Sequence, residues 1–213
     1  MKNIFLLFIL YSVLGFIIEV TLNLITKKRF INRGFLIGPY CPIYGVGSLL
    51  IISLLDKYKN DKLVLFVLII VICSILEYVT SYLMEKIFHI RWWDYSNHKY
   101  NINGRICLET MIPFGIGGVL LITYINPYLN NMLNKINDQL LTFSKIVLFI
   151  VFITDILLSF NIIIGLKNIT TNIKSDSTEK VTIQVKKKIK RMNKSLYNRL
   201  INAFPKIQIF KRK

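Results

Sequence analysis

Leu63-Val64-Leu65-Phe66-Val67-Leu68-Ile69-Ile70-Val71-Ile72-Cys73-Ser74-Ile75-Leu76-Glu77-Tyr78-Val79-Thr80-Ser81-Tyr82-Leu83-Met84 is a run of 22 residues with one charged side chain, Glu77. As helix it is about 33 Å long, enough to cross a hydrocarbon layer about 30 Å thick. Blocks of the same character occupy residues 4–25, 35–55, 106–126 and 146–166. The fold expected is therefore all-α: a polytopic integral membrane bundle of five transmembrane helices. Composition agrees, since 54% hydrophobic residues and a mean hydropathy of +0.51 over 213 residues exceed what one soluble core hides. A disordered chain, a secreted disulfide scaffold and a cytosolic α/β enzyme are excluded. The first block is no cleavable signal peptide, being too long, lacking a small-residue cleavage site and containing Glu19.

The net charge of +17 is unevenly spread. Lys and Arg number four after the first block, four between the third and fourth, and 14 from Leu166 to the end. The opposite connections carry one, three and two. Basic loops stay in the cytoplasm, so the expected arrangement has the N-terminus outside and the tail inside, in the cell membrane. The chain divides into a transmembrane domain (1–166) and a basic cytoplasmic tail (167–213). In the tail, Val185, Ile189, Met192, Leu196, Leu200 and Phe204 recur at helical spacing among Lys186, Lys187, Lys188, Lys190 and Arg191. That pattern suggests an amphipathic helix lying on anionic lipid, or one that binds a partner; charge alone gives no case for nucleic acid. Tyr128, Leu129, Met132, Leu133, Ile136, Leu140 and Leu141 suggest another interfacial helix before the fifth block.

The second block is irregular. It reads Gly34-Phe35-Leu36-Ile37-Gly38-Pro39-Tyr40-Cys41-Pro42-Ile43-Tyr44-Gly45-Val46-Gly47. Pro42 suits the first turn of a helix, leaving the preceding residues as non-helical backbone at shallow membrane depth. Such backbone must be buried in protein or line a wet cavity. A close-packed, kinked helix is the other reading.

Four spans each carry one acid: Glu19, Glu77, Glu109 and Asp155. An acid at a helix centre costs roughly 2.5–3.5 kcal/mol to insert, so four of them call for a reason. Glu19 lies on a stripe with Ser12, Gly15, Asn23 and Thr26, and Glu77 on one with Ser74, Ser81 and Glu85. Facing stripes would form an acidic cleft open to the cytoplasm, with Tyr40 and Tyr44 lining it and Arg33, Arg91 and Arg105 at its rim. Structural ion pairs are one account; a site for a cation, a proton or a polar solute is the other. Trp92 and Trp93 suit the lipid–water interface, and with Asp94, paired to Arg91 or Arg105, form a candidate lid. Cys41, Cys73 and Cys107 read as buried inert thiols. The sequence contains no Walker A loop, Gly-x-Ser-x-Gly elbow or His-Glu-x-x-His motif, and it offers no metal or cofactor set.

Gly34-Phe35-Leu36 with Gly38-Pro39-Tyr40-Cys41-Pro42-Ile43-Tyr44-Gly45, Glu77-Tyr78, Arg91-Trp92-Trp93-Asp94-Tyr95-Ser96 and Asn103-Gly104-Arg105-Ile106-Cys107-Leu108 resemble the bacterial "putative ABC-transporter type IV" (permease-like) family over residues 3–130. The resemblance implies a permease or transporter subunit, with ATP hydrolysis left to a separate ATPase partner. The rival functions are an intramembrane enzyme acting on a lipid or isoprenoid, and a non-catalytic membrane scaffold or sensor.

Overall fold

The computed structural model describes residues 3–28, 30–32, 34–171, 178–192, 195–204 and 207–209. Helix α1 (Ile4–Lys27) ends where Lys28 turns left-handed and its N–H caps the Leu24 carbonyl. After the irregular stretch that precedes Pro42 comes α2 (Pro42–Leu55), with the proline in its first turn as expected. A single 3-10 turn leads to α3 (Lys62–Phe88), whose N-cap Asp61 accepts from the Val64 N–H. The following loop carries three two-residue strands, β1 (Ile90–Arg91), β2 (Asn101–Ile102) and β3 (Ile106–Cys107). Then come α4 (Leu108–Leu120), a π-helical turn over Leu121–Ile125, α5 (Asn126–Asn134) and α6 (Asp138–Thr171). The tail forms α7 (Thr178–Met192), α8 (Ser195–Ala203) and β4 (Gln208–Ile209).

Among the described residues, four helices are long and apolar enough to cross a membrane: Ile4–Thr26, Lys62–Phe88, Leu108–Asn134 and Asp138–Gly165. The second block, expected as one of five spans, is different. Its helix has 14 residues, about 21 Å, too short for the hydrocarbon layer. The interfacial helix expected near Tyr128 is also revised. The π turn and α5 continue α4, so these residues are the last turns of a longer span, and Leu140 and Leu141 already belong to α6.

Two hydrophobic clusters mark the ends of the bundle. One joins Leu6, Leu7 and Tyr11 to Ile51, Leu55, Leu65 and Ile122, with Leu133 and Leu141 beside them. The other joins Phe88, Ile90 and Trp92 to Ile163 and the tail, with Ile31 and Phe35 packed on it. Between them the described stretch from Gly34 is irregular as far as Cys41 and helical from Pro42 to Leu55.

The tail does not lie with its apolar stripe on lipid. Val181, Val185, Ile189, Leu200, Ala203 and Phe204 are buried against Phe88, Trp92 and Ile163, and β4 pairs antiparallel with β1, Ile90 opposite Ile209. The expected stripe from Val185 to Phe204 spans 19 residues, which at about 100° each rotates it about 100° beyond five turns. Two helices allow both halves to face one core. Leu196 stays exposed, and the Met192 side chain lies outside the described residues.

Candidate functional site

The irregular backbone before α2 sits deep. The Cys41 N–H donates to the Ser12 carbonyl, in the middle of α1, so this segment lies well below the shallow depth expected. At membrane depth every backbone polar group needs a partner. Asp155 of α6 supplies two: its carboxylate accepts from the N–H groups of Ile37 (2.9 Å) and Gly38 (2.7 Å). It also accepts from the Tyr40 hydroxyl (2.5 Å) and Ser159 (2.9 Å). Arg199 of α8 serves the carbonyls, donating to Gly34 (3.2 Å) and Leu36 (2.9 Å). Burial pulls the Arg199 guanidinium below its usual range, and the Asp155 charge works against that. Asn32 completes the set by accepting from the Gly34 N–H at 2.9 Å.

Two of the expected acids, Glu19 on α1 and Glu77 on α3, are each held by a tyrosine. Counted from the helix ends at Lys27 and Phe88, they are about 12 and 16 Å deep. Tyr44 on α2 donates to Glu19 at 2.7 Å, and a Cβ on Gly15 would run into the Tyr44 ring, so that glycine makes the approach possible. Tyr95 reaches in from the loop and donates to Glu77 at 3.3 Å. Glu77 is buried, as are Ser74 and Ser81, and its second carboxylate oxygen has no hydrogen-bond partner among the described residues. Burial, together with the nearby charges of Glu77 and Glu19, pushes the Tyr95 phenol well above its ordinary range. The remaining stripe of α1 does not line a cleft: Ser12, Asn23 and Thr26 donate to carbonyls of their own helix.

The other expected members are elsewhere. Asp155 is spent on the irregular backbone. Glu109, in the first turn of α4, is exposed and meets His98 at 2.8 Å, so it does not join Glu19 and Glu77. Arg91 and Arg105 do not reach those acids either. Both converge on Glu85, at 2.6 and 3.1 Å, and Arg105 also donates to Ser81. Arg33 lies outside the described residues. Glu85 and Arg199 were not among the expected site residues. Glu85 belongs to the Glu77 stripe and could have been read from it, whereas nothing in the tail's spacing singles out Arg199.

The loop is a folded unit. Trp92 is not at a lipid interface but buried, its ring 5.1 Å from Phe35 and 5.0 Å from Phe204. Trp93 donates to the Arg105 carbonyl at 2.9 Å. Asp94 pairs with neither arginine; it accepts from Ser96 and from Gln208 beside it in the tail. Gly104, at φ +66°, is required here, since a Cβ would meet Asp94 and Ser96. Lys187 is exposed and Lys186 half-buried, while the side chains of Lys188, Lys190 and Arg191 lie outside the described residues. Cys41 and Cys107 are buried and Cys73 is partly buried, and none of the three is in a disulfide among the described residues.

A family model described as "Putative ABC-transporter type IV" matches residues 6–160. The chain belongs to that family. The match takes in the irregular segment, both buried glutamates, the loop and Asp155, and it stops before the tail that supplies Arg199. It is an ABC-transporter-related multi-pass membrane protein by family and by its apolar helices. No curated protein and no solved structure is detectably similar to it.

Proposed function

We propose that this family member is the membrane-embedded, permease-like part of a transport system in the cell membrane, and that Glu19 and Glu77 form its site for a proton or a small cation. The observation that carries this reading is the buried Glu77 carboxylate, one oxygen unpartnered among the described residues, in a bundle that holds a second membrane-depth carboxylate, Glu19, bonded to Tyr44 just after the irregular backbone that precedes α2. Interrupted helices at membrane depth commonly mark substrate and ion sites in transporters. Buried intramembrane acids have the same association. Tyr44 and Tyr95 hold the two acids, and the loop bearing Tyr95 is the cover on the cytoplasmic side, where the excess of basic residues places the tail. ATP hydrolysis belongs to a separate ATPase subunit. The test is proton or monovalent-cation movement in membrane vesicles from cells expressing the full chain, followed with a pH-sensitive dye. Glu77→Gln should abolish the flux attributable to the chain. Flux equal in wild type and variant would remove the glutamates from the mechanism.

A further inference from the structure

The residues that lead into Tyr95 lean on the end of the tail. Ile90 and Arg91 pair with Ile209 and Gln208 of β4. The Trp92 ring stands 5.0 Å from that of Phe204, and Asp94 accepts from the Gln208 amide at 2.8 Å. Tyr95 itself donates to Glu77. We propose that the tail is an autoinhibitory latch on this loop: docked, it holds Tyr95 on Glu77, and its release lets the loop open and water reach that carboxylate. The proposal rests on the reading of the loop as the cover over Glu77 and adds what controls it.

The loop is anchored differently on the two sides of Tyr95. After it, Asn103 donates to Tyr78 and Arg105 to Ser81, both on α3, and Glu109 on α4 meets His98. Before it, Arg91 reaches Glu85 and Trp92 packs on Phe35, but Ile90, Arg91, Trp92 and Asp94 all meet the tail. The helix-bound half is the fixed side, and the tail-bound half is the side that can swing. A two-residue strand pair and one side-chain bond open locally at far lower cost than a helix core. Arg199, nine positions before Gln208, holds the irregular segment, so one short piece of tail spans from that segment to the loop. The family match ends at residue 160, so the latch is an addition of this chain's tail to the matched part.

A water-soluble carbodiimide with a glycine ester tests it on the full chain in lipid nanodiscs. Labelling of Glu77 is mapped by peptide mass spectrometry and normalised to the exposed Asp56. Gln208→Ala should speed Glu77 labelling about five-fold, equivalent to about 1 kcal/mol, the size of one hydrogen bond. Gln208→Lys, whose ammonium can pair with Asp94, should label no faster than wild type. Gln139→Ala, at the exposed start of α6, should change the rate less than about two-fold. Equal Glu77 labelling in wild type and Gln208→Ala would overturn the latch, as would an equal rise in Gln208→Lys or Gln139→Ala. Labelling is independent of flux, so a Glu77→Gln chain that transports like wild type would remove the transport reading and leave the latch standing.

Discussion

Asp155 and Arg199 grip the same five residues of irregular backbone from opposite sides, the carboxylate taking the N–H groups of Ile37 and Gly38 and the guanidinium giving to the carbonyls of Gly34 and Leu36. One comes from α6 and the other from the tail, 44 positions later in the chain. A helix satisfies its own backbone; this segment instead borrows two charged side chains to do so. The tail is thereby tied to the irregular segment that leads into α2.

Asp155→Asn should therefore destabilise strongly. An amide offers one acceptor oxygen where the carboxylate offers two, and it leaves at least one N–H or the Tyr40 hydroxyl unsatisfied. An unsatisfied buried group costs about 1–3 kcal/mol, and an uncompensated Arg199 adds to that. Thermal unfolding in detergent should show the loss, and a cycle with Arg199→Gln should give a coupling above about 0.5 kcal/mol.

Gly45 and Gly117 should respond oppositely to alanine. A Cβ at Gly45 would meet the Phe8 carbonyl and Ser12 on α1, whereas nothing lies within 4 Å of one at Gly117. Gly45→Ala should cost about 1–3 kcal/mol by overpacking. Gly117→Ala should be neutral or gain up to about 1 kcal/mol from helix propensity. The same unfolding measurement checks both.

Ile189→Ala should loosen the whole tail cluster. Its side chain is buried with Trp92 and Phe204, and large-to-small changes in such cores cost about 2–5 kcal/mol. Hydrogen exchange should accelerate at Ile90 and Arg91, whose partners are Ile209 and Gln208. A tail that merely rests on lipid would leave those amides unchanged.

Tyr95 gives the alkaline limit. Its phenol is held well above the ordinary value of 10.0 in the folded protein, so the unfolded chain ionises first as the pH rises. The unfolded state then binds fewer protons than the folded one, and stability falls above about pH 10. Wild type should lose stability there more steeply than Tyr95→Phe, measured as melting temperature from pH 8 to 11.

Much of this architecture is legible in the sequence because membrane helices announce themselves through length and polarity. The blocks at Ile4, Leu63 and Ile106 coincide with long helices, and Pro42 starts α2. Helix ends are less legible, as α5 and the start of α6 show, because polar residues at a membrane boundary are compatible with either a continued helix or an interfacial one. The tail misleads for a related reason: an apolar stripe states that something must be covered, not whether lipid or protein covers it. Asp155 stands out in the sequence as a membrane acid, but its role and Arg199 do not, because the Ile37 and Gly38 N–H groups and the Gly34 and Leu36 carbonyls they serve are backbone groups, which carry no residue identity.

The account rests on Glu19 and Glu77 acting as one site. Infrared titration of the full chain in lipid resolves buried carboxyl bands, and Glu77→Gln identifies the band of that residue by its loss. Two acids that share a site titrate as a pair. Glu19→Gln should therefore move the titration of the Glu77 band, and Glu109→Gln should leave it in place. A Glu77 band that titrates identically with and without Glu19 would contradict the shared site.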